Sequence, residues 1–206
     1  MRLPPTLLFL AVAGLSLVAC KPADPEAPAT AASDASAPAA ATTPEEPPAP
    51  VAESAATDTQ ASFVGYGDMK LGSTVDEAKA AWGGELNGKP SEGSTCYYLT
   101  PKWVKKPSDF AFMAEDGKFV RYDVGTDKEA APGGGKVGMS VEELQKLYSD
   151  ALQSSPHKYV EGGQYLSVAA SGVAPSKLVF ETDATGKVTA WRVGLTPQVD
   201  YVEGCS

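Results

Sequence analysis

Few residues of this 206-residue chain are equipped for chemistry. His157 is its single histidine. Lying in Ser154-Ser155-Pro156-His157-Lys158-Tyr159, it would have to serve any Ser-His-Asp triad. No Gly-x-Ser-x-Gly turn presents a nucleophile to it. A histidine beside tyrosine at the start of a strand is expected to be a structural hydrogen-bonder. Glu115 with Asp116, and Glu181 with Asp183, are the acid pairs that a glycosidase would need across a cleft. They stand at turn signals, where solvated acids are ordinary. Gly133-Gly134-Gly135-Lys136 lacks the spacing and hydroxyl of a phosphate-cradling loop and is expected to link two halves of the fold. One His and three Cys leave little for a metal centre. The expectation is a non-catalytic chain with no cofactor and no metal. A hydrolase built on His157 or a carboxylate pair is the remote alternative.

Two sets of residues are better suited to binding. Pro101-Lys102-Trp103-Val104-Lys105-Lys106-Pro107 concentrates base around one indole. Trp103 can stack on a sugar ring, and Lys102, Lys105 and Lys106 can hold an anionic group. The plain alternative is a solvated loop whose Trp tucks onto the core. The second set comes from strand alternation. Val120, Tyr122 and Val124 share a parity with Trp191 and Val193. Phe119, Arg121 and Asp123 share the other with Val188, Ala190 and Arg192. An antiparallel sheet can bury one face under helices and leave the other wet. The charged set fits the wet face, with Phe119, Arg121 and Arg192 as an exposed patch for a protein partner.

Charge excludes further classes. Lys+Arg is 17 against Asp+Glu 26, a net charge of −9. A general nucleic-acid binder would carry a basic footprint, and an acidic chain gains nothing electrostatically from anionic lipid. Residues 21–60 account for −6 and residues 61–206 for −4. The 21–60 stretch holds 14 Ala and 8 Pro with no aromatic residue. Such a composition cannot bury enough apolar area to offset chain entropy, so 20–61 is expected to be a disordered tether. In polyproline II it could reach roughly 120 Å. No apolar run after the N-terminus is long enough to cross a membrane.

The folded part, residues 62–206, is expected to be a tandem repeat, 62–128 and 129–206. Lys70-Leu71-Gly72-Ser73-Thr74-Val75-Asp76-Glu77 aligns with Lys136-Val137-Gly138-Met139-Ser140-Val141-Glu142-Glu143. Tyr122-Asp123-Val124-Gly125 aligns with Trp191-Arg192-Val193-Gly194. Thr74 with Glu77, and Ser140 with Glu143, each form a capping box. Val75, Ala78, Ala81 and Trp82 then make one apolar helix face, stopped by Gly83-Gly84. Val141, Leu144, Leu147, Tyr148 and Leu152 make the other. Strands at 110–114 and 118–124 flank a turn at 115–117, and strands at 177–181 and 187–193 flank 183–186. A hairpin of 157–160 with 164–169 and a last strand at 199–203 complete the reading. The fold class is α+β: two tandem helix-plus-antiparallel-meander repeats sharing a sheet.

Arg2, an apolar stretch to Ala19 and then Cys20 have the layout of a signal peptide over 1–19. Leu17-Val18-Ala19-Cys20 resembles the lipobox of bacterial lipoproteins. That resemblance implies a lipid anchor on Cys20, and Lys21 after it implies the outer membrane. The alternative is an ordinary signal peptide with an incidental Cys. With Cys20 used, Cys96 and Cys205 remain as a pair in an oxidising compartment, so a disulfide is expected, with two free thiols as the alternative. Gly138-Met139-Ser140-Val141-Glu142-Glu143 is similar to the helix start of the small lipoprotein of the outer-membrane β-barrel assembly machine. The tandem helix-plus-meander pattern resembles the β-lactamase inhibitory protein type. Pro156-His157-Lys158-Tyr159, Leu178-Val179-Phe180-Glu181-Thr182-Asp183 and Tyr201-Val202-Glu203-Gly204-Cys205 resemble uncharacterised gammaproteobacterial lipoproteins labelled lectin. These resemblances imply a binding module of the cell envelope. Its partner is an envelope protein or secreted hydrolase on the free sheet face, or peptidoglycan or surface polysaccharide at Trp103. The number of copies stays open.

Overall fold

A computed structural model describes residues 59–171 and 175–206. The expected signal peptide, lipidated Cys20 and nearly all of the tether lie outside them. So do residues 172–174, in the second-repeat counterpart of the Trp103 loop.

Within the described residues, the fold begins with a small antiparallel sheet of β1 (Ala61–Ser62), β2 (Gly65–Tyr66) and β3 (Met69–Lys70). Thr59 Oγ1 donates to Ala130 O at 2.7 Å, and Ala61 is buried, so this fold takes in residues from the end of the expected tether. Helix α1 (Val75–Trp82) follows. Then come β4 (Leu86–Asn87), β5 (Cys96–Pro101), β6 (Phe110–Glu115) and β7 (Lys118–Val124). The second half gives α2 (Val141–Tyr148), β8 (Gln153–Pro156), β9 (Gln164–Ala169), β10 (Ser176–Thr182) and β11 (Val188–Leu195). The eight later strands form one antiparallel sheet in the order β4-β5-β6-β7-β11-β10-β9-β8. That order is palindromic, each half-sheet being one repeat.

The seam between the halves carries the duplication. Trp191 pairs with Val124, Arg192 with Asp123 and Val193 with Tyr122. Asp123 and Arg192 are each other's counterparts in the aligned repeats, so a pseudo-twofold axis passes through that pair. The helix starts obey the same symmetry. Thr74 and Ser140 cap α1 and α2 with both bonds of the capping box. Thr74 bridges to Lys118, and Ser140 to Lys187. Gly72 N and Gly138 N donate to Phe119 O and Val188 O.

Local chemistry explains the elements that match expectation. Asp116 and Gly117 both have positive φ, 50° and 74°, as a two-residue type I′ hairpin demands, and Glu115 then pairs with Lys118. Gly83 ends α1 in the left-handed conformation. Elsewhere the structure differs. Helix α2 stops at Tyr148, because Ser149 takes φ 47° and a 3-10 turn follows over Ser149–Ala151. Leu147 of α2 is exposed, and so is Ala81 of α1. The strand paired with β9 is Gln153–Pro156, four residues before the expected one. His157 Nδ1 accepts from the N–H groups of Tyr159 and Val160, both at 3.1 Å, and curls 157–160 into a loop. Residues 198–200 form a 3-10 turn where a last strand was expected.

The core lies between the sheet and the helices. Phe112, Tyr122, Phe180 and Trp191 from the sheet meet Ala78 of α1, Leu144 of α2 and Met69 of β3, all essentially inaccessible. Aromatic edges interlock through it: Phe110 with Phe112 at 5.1 Å, Trp82 with Phe112 at 5.2 Å and Tyr122 with Trp191 at 6.0 Å between ring centroids.

Candidate functional site

Two β-bulges and a strap overturn the expected exposed patch. Between β6 and β7 the register runs Met113–Arg121 and then Ala114–Phe119, so Val120 is an extra residue. A bulge of one residue flips the side chains beyond it to the opposite face. Phe119 therefore joins the core, edge-on to Phe112 at 5.6 Å. The second repeat does the same: Glu181 pairs with Ala190 and Thr182 with Val188, Thr189 is extra, and Val188 is in the core.

Arg121 and Arg192 do share the face away from the helices, but they are only 3% and 6% exposed. The C-terminal segment, residues 196–206, crosses over them as a strap. Arg121 Nη1 donates to Gln198 O and Tyr201 O at 2.8 and 2.9 Å, and Nη2 donates to Tyr98 Oη at 2.8 Å. Arg121 Nε and Nη2 grip both oxygens of Asp123 at 3.0 and 2.9 Å. Arg192 Nε donates to Val199 O at 2.7 Å, and its Nη1 pairs with Glu181. Val199, within the strap, is itself fully buried. Within the sheet, the close β7–β11 pairing needs Gly194 opposite Arg121, since a Cβ there would sit 2.8 Å from the arginine's own Cβ. A disulfide between Cys96 of β5 and Cys205 pins the strap's end. The two arginines thus bind the molecule's own chain. Burial raises the Asp123 carboxyl above its ordinary value, and Arg121 beside it offsets only part of that rise.

His157 is equally occupied. Its ring stacks on Tyr165 at 4.4 Å, Nδ1 accepts its two backbone bonds, and Nε2 lies 3.5 Å from Glu181 Oε2. With Nδ1 accepting from two backbone N–H groups, the lone pair of a neutral ring is already committed to the loop and is not free to activate a serine. Asp183 caps its own turn by accepting from Thr185 N, Thr185 Oγ1 and Lys187 N, the role of a turn aspartate. Among the described residues no group of three or more His, Cys, Asp or Glu could hold a metal ion.

The Trp103 loop has the opposite character. It joins β5 to β6 and is held by turns, with Val104 N donating to Pro101 O and Asp109 N to Lys106 O. Trp103 is 64% exposed. Its indole lies nearly parallel to the buried Phe110 ring, 23° apart with centroids at 5.9 Å. Beside it is a cavity of about 210 Å³ lined by Val104, Lys105, Asp109, Phe110, Lys128 and Glu129, together with Trp103 and Thr126. Of the lysines named from sequence, Lys105 lines the cavity, Lys102 pairs with Glu85, and Lys106 is exposed in the loop. Tyr66 Oη donates to Glu129 Oε2 at 2.9 Å and fixes that carboxylate. Burial, with Glu129 adding to it, pushes the Tyr66 phenol far up, so it stays a donor. Sequence reasoning missed Asp109, Thr126, Lys128 and Glu129. Asp109 follows the loop on the way into β6, and the other three come from the segment between the repeats, more than twenty residues from Trp103.

No protein-family model matches the chain, and no curated protein matches it. Among solved structures, an extracellular protein containing a SCP domain from Bacillus anthracis is similar at 15% identity and a TM-score of 0.39. That likeness covers 61% of this chain and 44% of the other, so the chain spans less than half of that structure. The uncharacterized protein yfeY from Escherichia coli is similar at 18% identity and a TM-score of 0.43, over 66% of this chain and 99% of its own. At these scores the likenesses are loose, and neither brings a ligand or an activity with it.

Proposed function

We propose that this chain is a non-catalytic binding lipoprotein of the cell envelope. In this reading Cys20 holds it to the outer membrane and the Trp103 cavity receives a saccharide ring. The observation that carries the reading is the indole of Trp103, seated on Phe110 and open to solvent at the mouth of an apolar-floored cavity. A pyranose presents an apolar face for an aromatic ring to cover, and hydroxyls at its edge for acceptors to fix. Here the carboxylates of Asp109 and Glu129 are those acceptors. The cavity is smaller than the roughly 300–1,000 Å³ that encloses a drug-sized ligand, so it suits one ring of a longer chain.

The envelope location is supported by the lipobox-like Leu17-Val18-Ala19-Cys20 and by the Cys96–Cys205 disulfide, a bond of oxidising compartments. A non-catalytic role is supported by the backbone bonds that occupy His157 Nδ1. Retention of the full chain on insoluble peptidoglycan and on purified surface polysaccharide tests the reading. Wild type is expected to be retained on at least one polymer, and Trp103→Ala to be lost from it by tenfold or more with an unchanged unfolding midpoint. Equal retention of the two proteins would overturn it.

A further inference from the structure

The charges around the Trp103 cavity are sorted by depth. Asp109 and Glu129 are half-buried, whereas Lys105 and Lys128 are exposed. Inside are acceptors, which suit hydroxyl donors; outside are ammonium groups, which suit an acid. Like most of the described lysines, Lys105 and Lys128 have no carboxylate within ion-pair distance among the described residues; what sets these two apart is that they line the same cavity. In a chain of net charge −9 this places two unspent cations at the mouth of one cavity.

We propose that the ring held on Trp103 is a carboxylated pyranose, with its hydroxyl edge against Asp109 and Glu129 and its carboxylate facing Lys105 and Lys128. This rests on the saccharide reading of the site and narrows it. The wider protein repels a polyanion. At about 0.15 M salt, however, the Debye length is about 8 Å, so distant acids are screened while lysines at contact range still act. The carboxylate could belong to a uronic acid or to the lactyl ether of a muramyl sugar, and the two sources present the same group to the lysines.

The test uses the full chain at about 0.15 M salt and four soluble probes: oligogalacturonate, its methyl ester, a muramyl disaccharide fragment, and its methyl ester. At least one free acid is expected to bind tenfold or more tightly than its own ester, and that acid identifies the source. In the Lys105→Gln/Lys128→Gln double variant the ratio of acid to ester affinity is expected to fall to about one. Trp103→Ala is expected to lose acid and ester alike. Two outcomes would overturn the proposal: acids and esters binding equally, or the double variant keeping the preference. In both, loss of binding in Trp103→Ala would leave the saccharide reading standing. Failure of all four probes to bind, or full binding by Trp103→Ala, would overturn both.

Discussion

Arg121 donates to Asp123, to Tyr98 and to two carbonyls of the strap, so removing it strands a carboxylate and three further acceptors at once. Breaking one partner of a buried pair costs about 3 kcal/mol or more. Arg121→Met is therefore expected to lower unfolding stability in urea by about that amount. The loss should shrink when Asp123→Leu is added, since the stranded charge goes too. An exposed binding arginine would show neither effect. Tyrosines report the same burial at alkaline pH. Burial pushes the phenols of Tyr98 and Tyr148 up to about 12 in the folded state, against an ordinary value of 10.0. Above pH 10 the unfolded chain loses these protons and the folded chain keeps them, so their contribution to stability is full below pH 10 and fades towards pH 12. Urea midpoints are expected to fall between pH 9.5 and 11.5, and to fall less in Tyr148→Phe.

The legible elements were those fixed by local rules. Thr74-x-x-Glu77 and Ser140-x-x-Glu143 name their own caps, and Asp116-Gly117 names its own turn. The faces of β7 and β11 were legible from Arg121 to Val124 and from Trp191 to Val193, but not at the start of either strand, because each carries a one-residue bulge that resets its alternation. Phe119 and Val188 change sides as a result. The strap was hidden for a different reason: it binds through the backbone carbonyls of Gln198, Val199 and Tyr201, which no side-chain pattern marks. Its far end was legible, because two cysteines remained for one bond. That bond closes a separation of 109 residues. In the chain-entropy picture such a loop is worth up to about 4.7 kcal/mol. The Cys96→Ser/Cys205→Ser pair is expected to lose part of that. Amides of residues 198–204 should exchange first in hydrogen exchange, while β6, β7, β10 and β11 stay protected. Uniform loss of protection would show that the strap and the sheet open as one unit.

At the scale of the molecule, duplication builds the sheet and asymmetry builds the site. Repeat 1 and repeat 2 share caps, bulges and the seam pair Asp123–Arg192, so their common features serve the fold. The Trp103 loop is basic and aromatic where the aligned stretch of the second repeat, 169–175, is neither. Its lysines and indole were visible in the sequence. The walls opposite it were not, because Thr126, Lys128 and Glu129 enter the cavity from the segment between the repeats. A sugar held in this cavity would cover the Trp103 indole, and tryptophan fluorescence would report it. Of the three tryptophans, Trp191 is buried, Trp82 is packed against the core and Trp103 alone is largely exposed. Titration of the full chain with soluble peptidoglycan and surface-polysaccharide fragments is expected to shift the emission to the blue and to reduce acrylamide quenching. Both changes should be absent in Trp103→Phe. Unaltered emission and quenching at saturating concentrations of every fragment would contradict the account.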